Sequence, residues 1–83
     1  MVNQVFPQAE LMDAVRKTAM EIATAAPFAV AQAKKLINMG MEVDIDTAFA
    51  LEVECYNNAM HTEDRREGVR AFNEKRKPVY TGR

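Results

Sequence analysis

The chain has 83 residues, 48% of them hydrophobic and 28% charged, with a formal net charge of −1. That length makes one domain, burying only about 60–65% of the surface its unfolded form exposes, and the composition excludes disorder. No apolar run is long enough for a membrane span and no secretion signal opens the chain, so a soluble cytoplasmic protein without a membrane partner is expected.

Residues 1–6 alternate apolar and polar, as a short strand or extended lead-in would, and Val2-Asn3-Gln4-Val5 reads like the middle of a longer chain. Pro7 then suits the start of a helix. Leu11, Val15, Ala19, Ile22 and Ala26 recur at spacings of three and four, which predicts an amphipathic helix over 8–25. Pro27 ends that helix and opens the next, over 27–39, with Phe28, Ala31, Leu36 and Ile37 apolar. Gly40 is expected to close it in the left-handed conformation. Asp44 or Asp46 can cap a third helix over 45–61, whose stripe is Ile45, Ala48, Phe49, Val53, Tyr56 and Met60. Thr62-Glu63-Asp64 starts a fourth over 63–76, halted by Pro78, and the tail 77–83 is polar and expected to fray. The fold class is therefore all-α, four amphipathic helices in one domain covering 1–83, with no sheet. Ala50, Leu51 and Met60 widen the apolar surface beyond what so short a chain can cover, which predicts self-association or a larger partner.

Charge is unevenly distributed. Residues 1–64 carry four basic and ten acidic side chains, for −6, and residues 65–83 carry seven and two, for +5. Anion binding therefore belongs to the C-terminal end, while the acidic body excludes a long polyanion such as nucleic acid. Catalytic groups are missing. Cys55 and His61 lie on different faces of a helix and cannot complete a metal site, so no metal is expected. Glu52 and Glu54 diverge, and Glu63 and Glu67 sit beside arginines, where ion pairing is their natural use. Gly40, Gly68 and Gly82 are too scattered for a phosphate loop, and serine is absent. What remains is Phe72 with Lys75 and Arg76, read as one helical face: an aromatic ring beside cations suits a nucleotide carrying phosphates.

Taken in order, Val2-Asn3-Gln4-Val5-Phe6-Pro7, Leu11, Ile22-Ala23, Ala26-Pro27, Ala33-Lys34-Lys35-Leu36-Ile37-Asn38, Ala48, Leu51-Glu52 and Asp64-x-x-Glu67-Gly68-x-x-Ala71-Phe72-x-Glu74-Lys75-Arg76-Lys77-Pro78 resemble the C-terminal helical region of the enoyl-CoA hydratase (crotonase) family. The final segment is the most specific part. The resemblance implies a helical trimerisation subdomain that in the family follows an α/β core, packing at the interfaces of trimers that often pair into hexamers. It also implies that Phe72 and Lys75, with Arg76 a lesser contributor of positive potential, reach the adenosine end of coenzyme A. No tightly bound cofactor is implied; the coenzyme A thioester is a substrate. The family's oxyanion-hole amides and catalytic glutamates lie in the α/β core, so this chain is expected to be a fragment with no catalytic residue, inactive alone. Its parent would be a hydro-lyase of fatty acid metabolism that hydrates an enoyl-CoA or dehydrates a 3-hydroxyacyl-CoA. Isomerases, decarboxylases and dihydroxynaphthoyl-CoA synthase share such a tail, and a free-standing helical interaction module without ligand is the competing reading. A fragment would self-associate, or exchange helices, through the surface that otherwise meets the core.

Overall fold

The computed structural model describes residues 2–83; Met1, the first residue of the predicted lead-in, lies outside them. Four helices follow in chain order: α1 (Gln8–Ala23), α2 (Pro27–Gly40), α3 (Ile45–Met60) and α4 (Glu63–Asn73). No strand occurs among the described residues. Each start has a local cause. The Pro7 carbonyl accepts from the amides of Glu10 and Leu11 to begin α1, and Pro27 occupies the first turn of α2. Asp44, rather than Asp46, caps α3, its carboxylate accepting from the Thr47 amide at 3.0 Å and the Thr47 hydroxyl at 2.6 Å. Thr62 caps α4 by accepting from the Arg65 amide at 3.1 Å.

Two helix ends differ from expectation. Gly40 is not a left-handed cap: α2 runs through it, and the chain leaves by a right-handed turn in which the Met41 amide donates to the Ile37 carbonyl. The third helix approaches closely there, so that a Cβ at Gly40 would lie 3.8 Å from that of Ala48. The fourth helix stops at Asn73, five residues before Pro78 and three short of its predicted end. A turn of its own closes it, described with the site below.

α2 and α3 form the extensive helix pair of the chain. Ala29, Ala33 and Leu36 on one side and Cys55 and Ala59 on the other line a shared cleft. Small side chains at such positions let helix axes approach. Lys35 and Glu54 add an exposed ion pair at 3.0 Å across it, which contributes little to stability. Cys55 and Ala71 are the buried hydrophobic residues. Phe28, Val30, Leu36 and Leu51 are half-buried, and many other apolar side chains are exposed: Leu11, Val15 and Ile22 of α1, Ile37 of α2, Phe49, Val53 and Tyr56 of α3.

The dimensions express the same openness. The Cα radius of gyration is 15.9 Å and the principal extents are 42 × 40 × 18 Å, where a compact chain of this length has a radius of about 12 Å. The accessible surface is 7192 Å², against about 5,000 Å² for a folded monomer of this mass. The excess, roughly 2,200 Å² on that scaling, is the size of a substantial protein interface. The helices form a slab 18 Å thick.

Candidate functional site

The C-terminal unit, α4 and the segment after it, is held together largely by polar bonds around the buried Ala71. At the start of α4 stands Asp64, only 2% exposed. Its carboxylate accepts from the Thr81 amide at 2.7 Å and the Gly82 amide at 2.8 Å, with the Thr81 hydroxyl at 3.4 Å. Its own amide, one of the unpaired donors of a helix start, donates to the Arg83 carbonyl at 2.8 Å. Gly82 has φ +80, a conformation glycine adopts without strain. Far from fraying, the tail is fastened across the first turn of α4. Between these anchors Tyr80 lies against Gly68: a Cβ there would come within 3.2 Å of the Tyr80 hydroxyl. The glycine of the Glu67-Gly68 pair is thus explained by ring packing.

At the other end, the Arg76 amide donates to the Ala71 carbonyl at 3.0 Å and the Lys75 amide to the Phe72 carbonyl at 3.2 Å. Those two bonds define a Schellman closure, whose left-handed position is usually glycine. Here it is Lys75, with φ 52, the only described non-glycine residue at positive φ. Such a conformation costs a side-chain-bearing residue about 1–2 kcal/mol. Two carboxylates hold the next residue. The Arg76 guanidinium donates to Glu67 through two nitrogens, at 2.6 and 3.0 Å, and through Nε to Glu74 at 2.6 Å. Glu67 also accepts from the Val79 amide at 2.9 Å. The Arg76 hydrogen bonds, then that amide, pull the Glu67 carboxyl down to about 2, and the Glu67 and Glu74 carboxylates raise the Arg76 guanidinium above its ordinary value.

The three basic and aromatic candidates therefore part company. Phe72 sits in the last turn of α4 and is 84% exposed, the most exposed aromatic side chain among the described residues. Lys75 is not on the helix at all, but its amide bond to the Phe72 carbonyl keeps the two candidates on one turn. Lys75 is exposed and makes no ion pair among the described residues, whereas Arg76 is neutralised by its two carboxylates. The helix end, not a continuous helical face, is the element these two residues share, joined there through their backbones. On one side Phe72 borders an open cleft of about 450 Å³ shared with Ala26, Ala29, Val69 and Tyr80. Asp64 and Glu67, read from the sequence as a helix-start acid and an arginine partner, have long-range partners that the sequence reading did not name. Their i, i+3 spacing, which stacks both carboxylates along one face, was the available signal.

Cys55 is buried in α3 and His61 ends that helix; no cluster of three metal-ligating side chains occurs among the described residues. No helix there is long and apolar enough to cross a membrane.

Comparison with known proteins assigns the chain to a family. The enoyl-CoA hydratase/isomerase family model matches residues 1–83, and the chain belongs to that family. It is 44% identical over 77 residues to the short-chain-enoyl-CoA hydratase of Clostridium acetobutylicum, covering 93% of this chain and 30% of that protein. To the mitochondrial methylglutaconyl-CoA hydratase of Mus musculus it is 41% identical over 86 residues, 99% of this chain and 27% of the other. The crystal structure of an enoyl-CoA hydratase from Bacillus anthracis superposes with a TM-score of 0.92 at 40% identity, over 95% of this chain and 31% of that one. The chain thus spans about a third or less of the length of the relatives it matches, and the four helices and lack of strands among the described residues are consistent with the C-terminal helical region of a crotonase fold.

Proposed function

We propose that this chain is the helical assembly region of an enoyl-CoA hydratase-type hydro-lyase and that it supplies part of the site for the adenosine end of coenzyme A. The observation that carries the reading is the pairing of an exposed Phe72 ring with an unpaired Lys75 ammonium on one turn, in a chain of this family. The ring offers a face on which adenine stacks, and the ammonium meets the ribose phosphate. Arg76, already satisfied by Glu67 and Glu74, contributes to the shape of the turn rather than to phosphate binding. The reaction itself, addition of water across the double bond of an enoyl-CoA or its reverse, depends on groups outside these 83 residues. An oxyanion hole contributes about 3–4 kcal/mol per donor to such chemistry, and nothing in the four helices replaces it.

The assembly role rests on surface. An excess of roughly 2,200 Å² over a compact monomer, much of it apolar on α1 and α3, supports burial of these helices against other subunits or against an α/β core. Calorimetric titration of coenzyme A into the protein as its own cells assemble it tests the site. Phe72→Ala is expected to weaken binding by about 1–3 kcal/mol, the value of one base stack. Lys75→Ala is expected to weaken it by up to about 1 kcal/mol, as befits an exposed ion pair. Wild-type affinity in both variants would refute the assignment.

A further inference from the structure

A lysine in the left-handed position of a helix closure calls for explanation, because glycine or asparagine is the residue that fits there without cost. Strained conformations persist only where surrounding structure over-determines them, and they gather where a side chain must be held in place. Around Lys75 that over-determination is visible. The residue before it, Glu74, and the residue after it, Arg76, are tied to each other through Nε at 2.6 Å. Arg76 is tied back to the body of α4 by the two-nitrogen bridge to Glu67, and the outgoing chain is tied to the same carboxylate through the Val79 amide. Glu67 is therefore the single group that joins the helix, the turn and the strand of chain leaving it. Its side chain is only 17% exposed and directed into this cluster, so it does not itself face a ligand. Lys75 projects from the clamped loop without taking part in it.

We propose that Glu67 is a positioning residue for Lys75: by holding Arg76 and the Val79 amide, it locks the left-handed turn from which the Lys75 ammonium meets the ribose phosphate of coenzyme A. The proposal rests on the reading of Lys75 given above. It assigns Glu67 a role in phosphate recognition without contact, and it makes the cluster of Glu67, Glu74 and Arg76 a support rather than a second anion site. Phe72 lies on α4 proper, inside the helix that Glu67 leaves intact, so adenine stacking is expected to be independent of the clamp.

The test compares affinities for coenzyme A and for 3′-dephospho-coenzyme A, which lacks the ribose phosphate, in the protein as its cells assemble it. Wild type should prefer coenzyme A by up to roughly fivefold, the range of an exposed ion pair, and Lys75→Ala should abolish that preference. Glu67→Gln should cut the preference by half or more while leaving affinity for 3′-dephospho-coenzyme A unchanged, and adding it to Lys75→Ala should change nothing further. A purely structural role for Glu67 would lower both affinities together. Should Glu67→Gln fail to fold, Arg76→Lys opens the same clamp from its other side, keeps the charge, and must show the same selective loss. Full preference retained in either clamp variant, with Lys75→Ala having lost it, overturns the proposal. Preference retained in Lys75→Ala instead overturns the reading of Lys75 beneath it.

Discussion

The two ends of this chain are stabilised in opposite ways. α1 is an amphipathic helix with a well-formed apolar stripe and nothing of its own to bury it against: none of its residues is buried, and Leu11, Val15 and Ile22 stand about half exposed. α4 has little apolar surface and yet is the most closely bonded part of the molecule, because Asp64 and Glu67 fasten the returning tail along it. Hydrophobic stabilisation scales with area removed from water, so α1 gains it only when another surface arrives. Polar anchoring works within the chain, and it sets geometry more tightly than it sets stability. On the proposed reading, the turn that would present a ring and an ammonium is held by the second kind, and the helix that would dock on a larger body awaits the first.

The comparison is broken most directly at Asp64. Asp64→Ala leaves the Thr81 and Gly82 amides without acceptors and is expected to release the tail at a cost of about 2–3 kcal/mol, read as loss of amide protection at 81 and 82 by hydrogen exchange. The same measurement on Val15→Gln in α1 should show almost no change in the unassembled chain, since that side chain has little contact to lose. Gly68→Val comes next. Its Cβ would already crowd the Tyr80 hydroxyl at 3.2 Å, so the ring must move and the tail loosen, by about 1–2 kcal/mol on the scale of an overpacked contact. Tyr80 fluorescence or its ring resonances would report the movement.

Acid should act on the same unit. The Glu67 carboxyl is lowered from 4.5 to about 2 by its bonds to Arg76 and Val79. A group depressed on folding contributes stability above its unfolded value, and that contribution is lost as pH falls through the folded one. The turn at 74–79 is therefore expected to loosen between about pH 4.5 and 2, while α1, which has no such bond, keeps whatever helicity it had. Hydrogen exchange across that range distinguishes the two. The smallest effect expected is a gain: Lys75→Gly removes the left-handed strain and should stabilise the turn by about 1 kcal/mol while removing the proposed phosphate contact. Stability rising as coenzyme A affinity falls would separate the fold of the turn from its use.

The helices were legible because their causes are local. Prolines, caps and the three-and-four spacing of apolar residues fixed where α1 to α4 begin, and Thr62 and Asp44 cap where the pattern predicted. The family was legible from the closing segment, and the family model confirms it over the whole chain. What escaped depends on contacts between residues far apart in sequence. Glu67 was read as pairing with neighbouring arginines, but its partner is Arg76, nine residues on. Asp64 was read as a helix-start acid, and it is that, but its carboxylate serves amides seventeen and eighteen residues away. Pro78 was credited with ending α4, when the Schellman bonds to Lys75 and Arg76 end it first. No periodicity within a helix reports a tail that folds back upon it.

The measurement that bears most directly on the central claim is hydrogen–deuterium exchange of the assembled protein with and without saturating coenzyme A. The account predicts added protection confined to the end of α4 and the turn holding Phe72 and Lys75, with α1 unchanged. Protection appearing on α1 or the α2–α3 pair instead, with residues 69–77 unaffected, would contradict it.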